Sequence, residues 1–340
     1  MIDRTDIKAV SNVLASGMIA QGKKVKEFED AIARFVGTKY AVAVSSGTSS
    51  LHVALLCLGV GNDDEVIMPS YVCSSPYFAT MQAGAVPKIV DIDPKDMNIC
   101  AATAKSAISS KTKAIVVPHM FGNPAELDEL LDLDIPVIED CAQSLGAEYR
   151  KRQVGSFGAV SVFSFYATKM ITTGEGGMIL TNDHDLFGKM VELRDYDKKA
   201  LQPTKYNYKM TDFQAALGLS QLKKLQSFIE SRRRIASLYT ERFSDYEVEP
   251  PDGQSDKDPV FFRYVIGLNK MTTVQKRAKK NGVICERPIY KPLHEYQSSS
   301  ECPNCQRAHD HALSIPLYPS LSRDEIEYVI TTMEKAFRET

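Results

Sequence analysis

Lys169 stands in an uncharged neighbourhood. The segment from Ser164 to Leu180, SFYATKMITTGEGGMIL, surrounds it with apolar and hydroxyl side chains, and no other Lys or Arg falls between Arg152 and Lys189. An amine shielded from water is suited to attack a carbonyl and form a Schiff base. Upstream, the strand-like PVIEDCAQS is apolar through Ile138 and then ends in Glu139 and Asp140. At the carboxyl end of a buried strand, one of these carboxylates can face a ligand and keep a proton on a heterocyclic nitrogen. Further upstream, SSGTSS sets Gly47, Thr48 and Ser49 at a strand-to-helix turn. There free N–H groups, hydroxyls and the helix dipole form a cradle for phosphate. Each feature alone has a plain alternative: an ordinary helix cap, a solvent-facing acidic pair, a surface lysine. In this chain order they describe one site, suited to the electron-withdrawing chemistry of pyridoxal phosphate.

Such a site needs a scaffold that gathers distant segments. From Tyr40 onward, the short strand-like runs YAVAVSSG, DEVIMPS, AVPKIVDID, TKAIVVPHMFG and IPVIEDCAQS alternate with stretches of helical spacing. Those stretches are TSSLHVALLCLG, SSPYFATMQAG, AATAKSAIS and AELDELLDL. The alternation predicts an α/β layer with a mainly parallel sheet flanked by helices, and the ligand at the strands' carboxyl ends. After VSVFSF and GGMILTN a long helical pattern runs from Thr211 to Phe243. The loop-like VEPPDGQSDKDP then leads to a smaller α+β unit, with a strand in VFFRYVIGL and a C-terminal helix in SRDEIEYVITTMEKAF. The expected division is a large domain, residues 1–235, and a small C-terminal domain, residues 236–340.

The composition narrows the partners. With Lys+Arg 41 against Asp+Glu 43 in 340 residues, the formal charge is -2 and the signs are interspersed. Neither a nucleic-acid stripe nor a polybasic membrane patch stands out. The N-terminus lacks the apolar core of a signal peptide, and no apolar run approaches the ~18 residues of a membrane span. A soluble, cytoplasmic protein with neither nucleic-acid nor membrane partners is expected. Seven scattered cysteines predict reduced thiols. In ECPNCQRAHDHA, Cys302, Cys305, His309 and His311 have a spacing that zinc could use, but structural zinc draws on two separated pairs. A plain helix start is preferred and no metal is expected. The run Arg232 to Arg234 reads as a solvated helix face, and packing or capping is an open alternative for His294.

Beyond these local readings the chain resembles the DegT-type sugar aminotransferases, pyridoxal-phosphate enzymes of the aspartate-aminotransferase fold (fold type I). The matching stretches include GMIAQGKKVKEFEDAIARFVG, SSGTSSLHVAL, GNDDEVIMPSYV, IEDCAQSLGA, FSFYATKMITTGEGGMILTND, NYKMTDFQAALGLSQL and RPIYKPLH. The resemblance implies that Lys169 bonds the cofactor and shuttles a proton between the donor's α-carbon and the cofactor, while Asp140 pairs with the pyridine nitrogen. Gln143 then lies near the ring hydroxyl, and Gly47, Thr48, Ser49 and Ser164 hold the phosphate. Asn207 reaches the phosphate from the other subunit, which makes the active unit a homodimer. His294, Tyr290 and Gln21 border the substrate cleft.

Two departures stand out. Many relatives carry an aromatic residue that stacks on the cofactor ring where this chain has Cys73, with Tyr71 or Tyr77 as possible substitutes; many also have His at Tyr166. The expected activity is transfer of an amino group from an amino acid, L-glutamate by resemblance, to a nucleotide-linked keto-sugar in amino-sugar biosynthesis. A related sugar dehydratase is the alternative, disfavoured because those members replace the lysine with histidine; a non-catalytic regulator is the third class. Arg287 is the one arginine in the cleft-bordering stretches, so a loosely held donor is expected.

Overall fold

The computed structural model describes residues 2–197, 199–201, 204–246, 248, 256–297 and 301–338. Its central sheet contains β1 (Tyr40–Val44), β2 (Glu65–Pro69), β3 (Val86–Val90), β4 (Thr112–Pro118) and β5 (Val137–Asp140). After the short hairpin strands β6 (Glu148–Tyr149) and β7 (Arg152–Gln153) come β8 (Val160–Ser164) and β9 (Gly177–Thr181), which complete it. The seven-stranded order is β1-β9-β8-β5-β4-β2-β3. β9 pairs antiparallel with both β1 and β8, whereas β8, β5, β4, β2 and β3 pair in parallel. The expected α/β layer with a mainly parallel sheet is therefore present, and its carboxyl ends share one edge.

Helices α1 (Arg4–Ser16), α2 (Lys23–Val36), α3 (Gly47–Cys57), α4 (Ser75–Gln82), α5 (Ala101–Ala107) and α6 (Leu127–Leu131) precede or interleave these strands. They continue as α7 (His184–Arg194), α8 (Asp212–Leu222) and α9 (Leu225–Phe243). The face that each helix buries follows its apolar spacing. In α2, Val25, Phe28, Ile32 and Val36 are buried at helical intervals, and the Phe28 ring lies 5.0 Å from that of Phe165. Full burial of one such aromatic contributes about 2–3 kcal/mol. The long helical pattern after Thr211 is broken at Lys223 and Lys224, between α8 and α9.

One apolar core lies on each side of the large sheet. A third core is built from the second half of α9, β11 (Tyr264–Gly267), α10 (Met271–Lys280), β12 (Ala312–Ile315) and α12 (Arg323–Arg338). α9 joins the two regions: Leu225 and Ile229 belong to the first core, Ile235, Tyr239 and Phe243 to the third. Most of VEPPDGQSDKDP falls outside the described residues; its end forms β10 (Lys257–Asp258), which pairs with β6. Arg232 corrects the expectation of a solvated basic face. It is 6% exposed, and Nη1 donates to the carbonyls of Phe261, Phe262 and Leu317, stitching α9 to both regions. No helix among the described residues is long and apolar enough to cross a membrane.

Candidate active site

Parallel pairing places the ends of β2, β5 and β8 beside the turn from β1 into α3. Ser46, Gly47, Thr48, Cys73, Asp140, Ser164 and Lys169 thereby line one cavity of about 240 Å³. A larger cavity of about 1210 Å³ lies elsewhere, between α1, α2 and α8. It holds neither the lysine nor the strand-end carboxylate, so its size carries no chemical argument.

The cradle starts at the open end of α3. Ser46 caps the helix: its hydroxyl accepts the Ser49 N–H at 3.0 Å and its carbonyl accepts the Ser50 N–H at 3.0 Å. Gly47 and Thr48 contribute the donors that a helix cannot satisfy internally. A Cβ on Gly47 would stand 2.8 Å from Ser164 Cβ, and one on Gly177 would stand 2.2 Å from the Ser46 carbonyl oxygen. These glycines keep the turn close to β8 and β9 without filling it. Thr48 and Ser75 hydroxyls meet at 2.7 Å across the same end.

Asp140 is buried, and its Oδ1 accepts the Ala142 N–H at 3.0 Å. Burial pushes its carboxyl above the ordinary value, while that hydrogen bond and the charge of Lys169 pull it back. Lys169 is half-buried and forms no ion pair among the described residues; its Nζ lies 5.2 Å from the centre of the Phe262 ring. A cation and a carboxylate thus share a recess with a helix N-terminus.

Glu139 has the opposite surroundings. It is fully buried, and its oxygens accept the N–H groups of Gly155, Phe157 and Gly158, each at 2.7 Å. His119 Nδ1 accepts the Ala125 N–H at 3.0 Å, so its ring proton lies on Nε2, 3.3 Å from Glu139 Oε2. Potential ligand atoms of His119, Glu139 and Cys141 lie within 4.8 Å of one another. Those of His119 and Glu139 are already engaged in hydrogen bonds, and burial pushes the Cys141 thiol far up, so it stays protonated. The trio is a packed hydrogen-bonded core.

The three residues weighed for the ring-stacking position are placed differently. Cys73 lines the cavity; Tyr71 and Tyr77 do not. Tyr71 is buried against Phe121, and Tyr77 packs against Phe78 and Tyr296. Cys73 is open to solvent through the recess yet deep in the molecular volume, where burial and then the Asp140 charge push its thiol up. Tyr166, in place of the histidine of many relatives, also lines the cavity.

Other sequence candidates lie around the cavity or away from it. Ser49 is spent within the cap, 2.8 Å from the Ser46 hydroxyl, and Gln143 Oε1 accepts the Phe121 N–H at 2.9 Å. Asn207 is exposed, outside its own chain's cavity. Gln21 lies in the larger groove, Tyr290 is exposed, and His294 Nδ1 meets the Ser70 hydroxyl at 2.6 Å. Arg287 is exposed and faces His309 Nε2 at 3.0 Å. Cys302 precedes α11 (Pro303–His311), whose first N–H groups, at Asn304 and Cys305, donate to Asp91; His311 Nδ1 is 2.9 Å from the Leu268 carbonyl. The segment is a helix start.

Ser46, Ser75 and Phe262 were not anticipated. Capping chemistry was a signal for the serines, whereas nothing in the sequence ties Phe262 to Lys169.

The sequence profile of the DegT/DnrJ/EryC1/StrS aminotransferase family matches residues 1–334. GDP-perosamine synthase from Caulobacter vibrioides is 33% identical, over 92% of this chain and 90% of its own. Among solved structures, S. venezuelae DesV superposes with a TM-score of 0.93 at 29% identity, covering 97% of this chain and 94% of its own. PseC from Helicobacter pylori, an aminotransferase of pseudoaminic acid biosynthesis, gives a TM-score of 0.93 at 27% identity, covering 100% and 98%.

Proposed function

Because the chain belongs to the DegT/DnrJ/EryC1/StrS aminotransferase family, a group of pyridoxal-phosphate enzymes, we propose that it transfers an amino group from L-glutamate to a nucleotide-linked keto-sugar. The observation that carries this reading is the meeting of Asp140, Lys169 and the open end of α3 in one cavity. These residues fit the cofactor: the Gly47 turn lies so close to Ser164 that a Cβ would clash with it, which keeps the open end of α3 beside the Ser164 hydroxyl, and Asp140 is a buried carboxylate beside a cation. The nucleotide link is supported by the name of the GDP-perosamine synthase relative.

When bound, pyridoxal phosphate supplies an electron sink that acidifies the donor's α-hydrogen and stores its amino group. Gly47, Thr48 and Ser164 would hold the phosphate, Ser49 would brace the Ser46 cap behind them, and Asp140 would keep a proton on the ring nitrogen. Gln143 lies beside the ring hydroxyl. Lys169 Nζ would hold the cofactor and would carry the donor's α-proton during the transfer. Its presence separates transamination from sugar dehydration. Asn207 completes the phosphate site of a second copy, so the active unit is a homodimer. Gln21, Tyr290 and His294 border the sugar cleft formed there. The chain divides within α9 into domains 1–235 and 236–340.

The test loads the protein with pyridoxamine phosphate and adds keto-sugars in single turnover. Rapid return of the aldehyde-form absorbance with a nucleotide-linked keto-sugar is expected. Discharge by simple 2-oxo acids alone, across a broad sugar panel, would refute the sugar assignment while leaving the cofactor chemistry intact.

A further inference from the structure

The segment just before β11 returns to the active site. Val260 N–H donates to the Gly122 carbonyl at 3.0 Å, and Arg263 N–H donates to the Phe121 carbonyl at 3.3 Å. Phe121 is in turn fixed by Gln143. This strip sets the Phe262 ring between two cations, 5.2 Å from Lys169 Nζ and 5.7 Å from Arg263 Cζ.

Arg263 differs from the chain's other enclosed arginines. Arg194 pairs with Glu29 at 2.6 Å, and Arg232 saturates Nη1 on three carbonyls. The Arg263 guanidinium is partly enclosed, and its hydrogen bond among the described residues is a long one, Nη1 to Ser314 Oγ at 3.4 Å. It forms no ion pair among those residues; the exposed Glu286 contributes only charge at longer range. Its remaining donors are open to solvent or a ligand, and a carboxylate matches the guanidinium fork.

An amino donor must place its nitrogen where Lys169 bonds the cofactor, and its α-carboxylate is one carbon from that nitrogen. Lys169 and Arg263 both lie at cation–π distance from the Phe262 ring, so a carboxylate on the donor can be sought at the guanidinium, whereas a diphosphate is held across the sugar from the reacting carbon. We propose that Arg263 grips a carboxylate of the amino donor. The inference rests on the aminotransferase reading above.

The experiment uses protein reconstituted with pyridoxal phosphate. Glutarate, a dicarboxylate without an amine, is titrated by calorimetry, and the cofactor absorbance is followed on mixing with L-glutamate. Arg263→Met should weaken both glutarate binding and the donor's half-saturation by about tenfold to a hundredfold. Arg263→Lys should recover part of the loss, and Arg287→Met should change little. Return of the pyridoxamine form with a keto-sugar should stay within about twofold of wild type, which also shows that the variant is folded. Unchanged glutarate and glutamate affinities in Arg263→Met would overturn the proposal, as would an equal loss in the sugar half-reaction. A wild-type protein inert to every amino acid, yet binding glutarate through Arg263, would overturn the transaminase reading and support the carboxylate site.

Discussion

At the end of β5, consecutive carboxylates meet opposite treatment on the two sides of the sheet. Glu139 faces the core that contains Val137 and Cys141, and three loop N–H groups and His119 saturate its oxygens. Asp140 faces the side of α3, beside Lys169, with one hydrogen bond among the described residues. A saturated buried carboxylate has no bonding capacity left for a ligand and serves to pin the loop at residues 155–158. An undersaturated one beside a cation retains capacity, and its burial is offset when a protonated ligand arrives. Polar satisfaction therefore separates scaffold from site where residue type does not.

The comparison breaks first at the lysine. Lys169→Ala should lower turnover by at least about 10²- to 10⁴-fold and abolish borohydride fixation of the cofactor to protein; fixation that persists would move the nucleophile elsewhere. Next, Asp140→Asn should slow loss of the donor's α-hydrogen by about tenfold or more while weakening cofactor binding less, because the electron sink matters most in the transition state. A substrate deuterium effect that grows in this variant checks it; normal turnover would transfer the role to another group.

Glu139→Gln should act on stability. Replacing one of its carboxylate oxygens by an amide forces an N–H against a backbone N–H in a sealed site, at a cost on the order of 3 kcal/mol in denaturant unfolding, with the fraction that remains folded keeping its donor kinetics.

The two carboxyls also respond to pH in opposite senses. For Glu139, burial pushes upward, but the hydrogen bond from His119 and the N–H groups of Gly158 and Gly155 leave it below its ordinary 4.5. Its stabilisation is present above 4.5 and is lost as pH falls through the lowered folded value. Asp140 is raised above its ordinary 3.8, so its contribution is present below 3.8 and is lost as pH rises through the raised value. Between pH 7 and acid, Glu139→Gln should therefore lose less stability than wild type, and cofactor-free Asp140→Asn should lose more. Parallel curves for all three proteins would refute the assignment.

The smallest effect is at Cys73. If this position faces the ring, Cys73→Phe should tighten pyridoxal phosphate by about two- to tenfold, the range of an aromatic pair. Weaker binding would place the ring elsewhere.

The α/β alternation, the phosphate turn at Gly47 and the isolated Lys169 were legible because each rests on local rules: side-chain period, helix-end chemistry and the polarity of immediate neighbours. The break at Lys223 and Lys224 was hidden, since both residues suit a helix interior. Arg232 read as solvated because a charge run looks the same whether or not carbonyls from residues 261, 262 and 317 surround it.

By itself, the sequence determined that a strand ends in two carboxylates and that a lysine follows in apolar company. It could not assign those carboxylates, because alternation fixes only that they point to opposite faces, while strand order and the loop at 155–158 decide which face is sealed. Nor could it tell which of Tyr71, Cys73 and Tyr77 lines the cavity. Those choices depend on contacts between segments far apart in the chain, such as Phe262 against Lys169, and such contacts exist only once the chain has closed on itself.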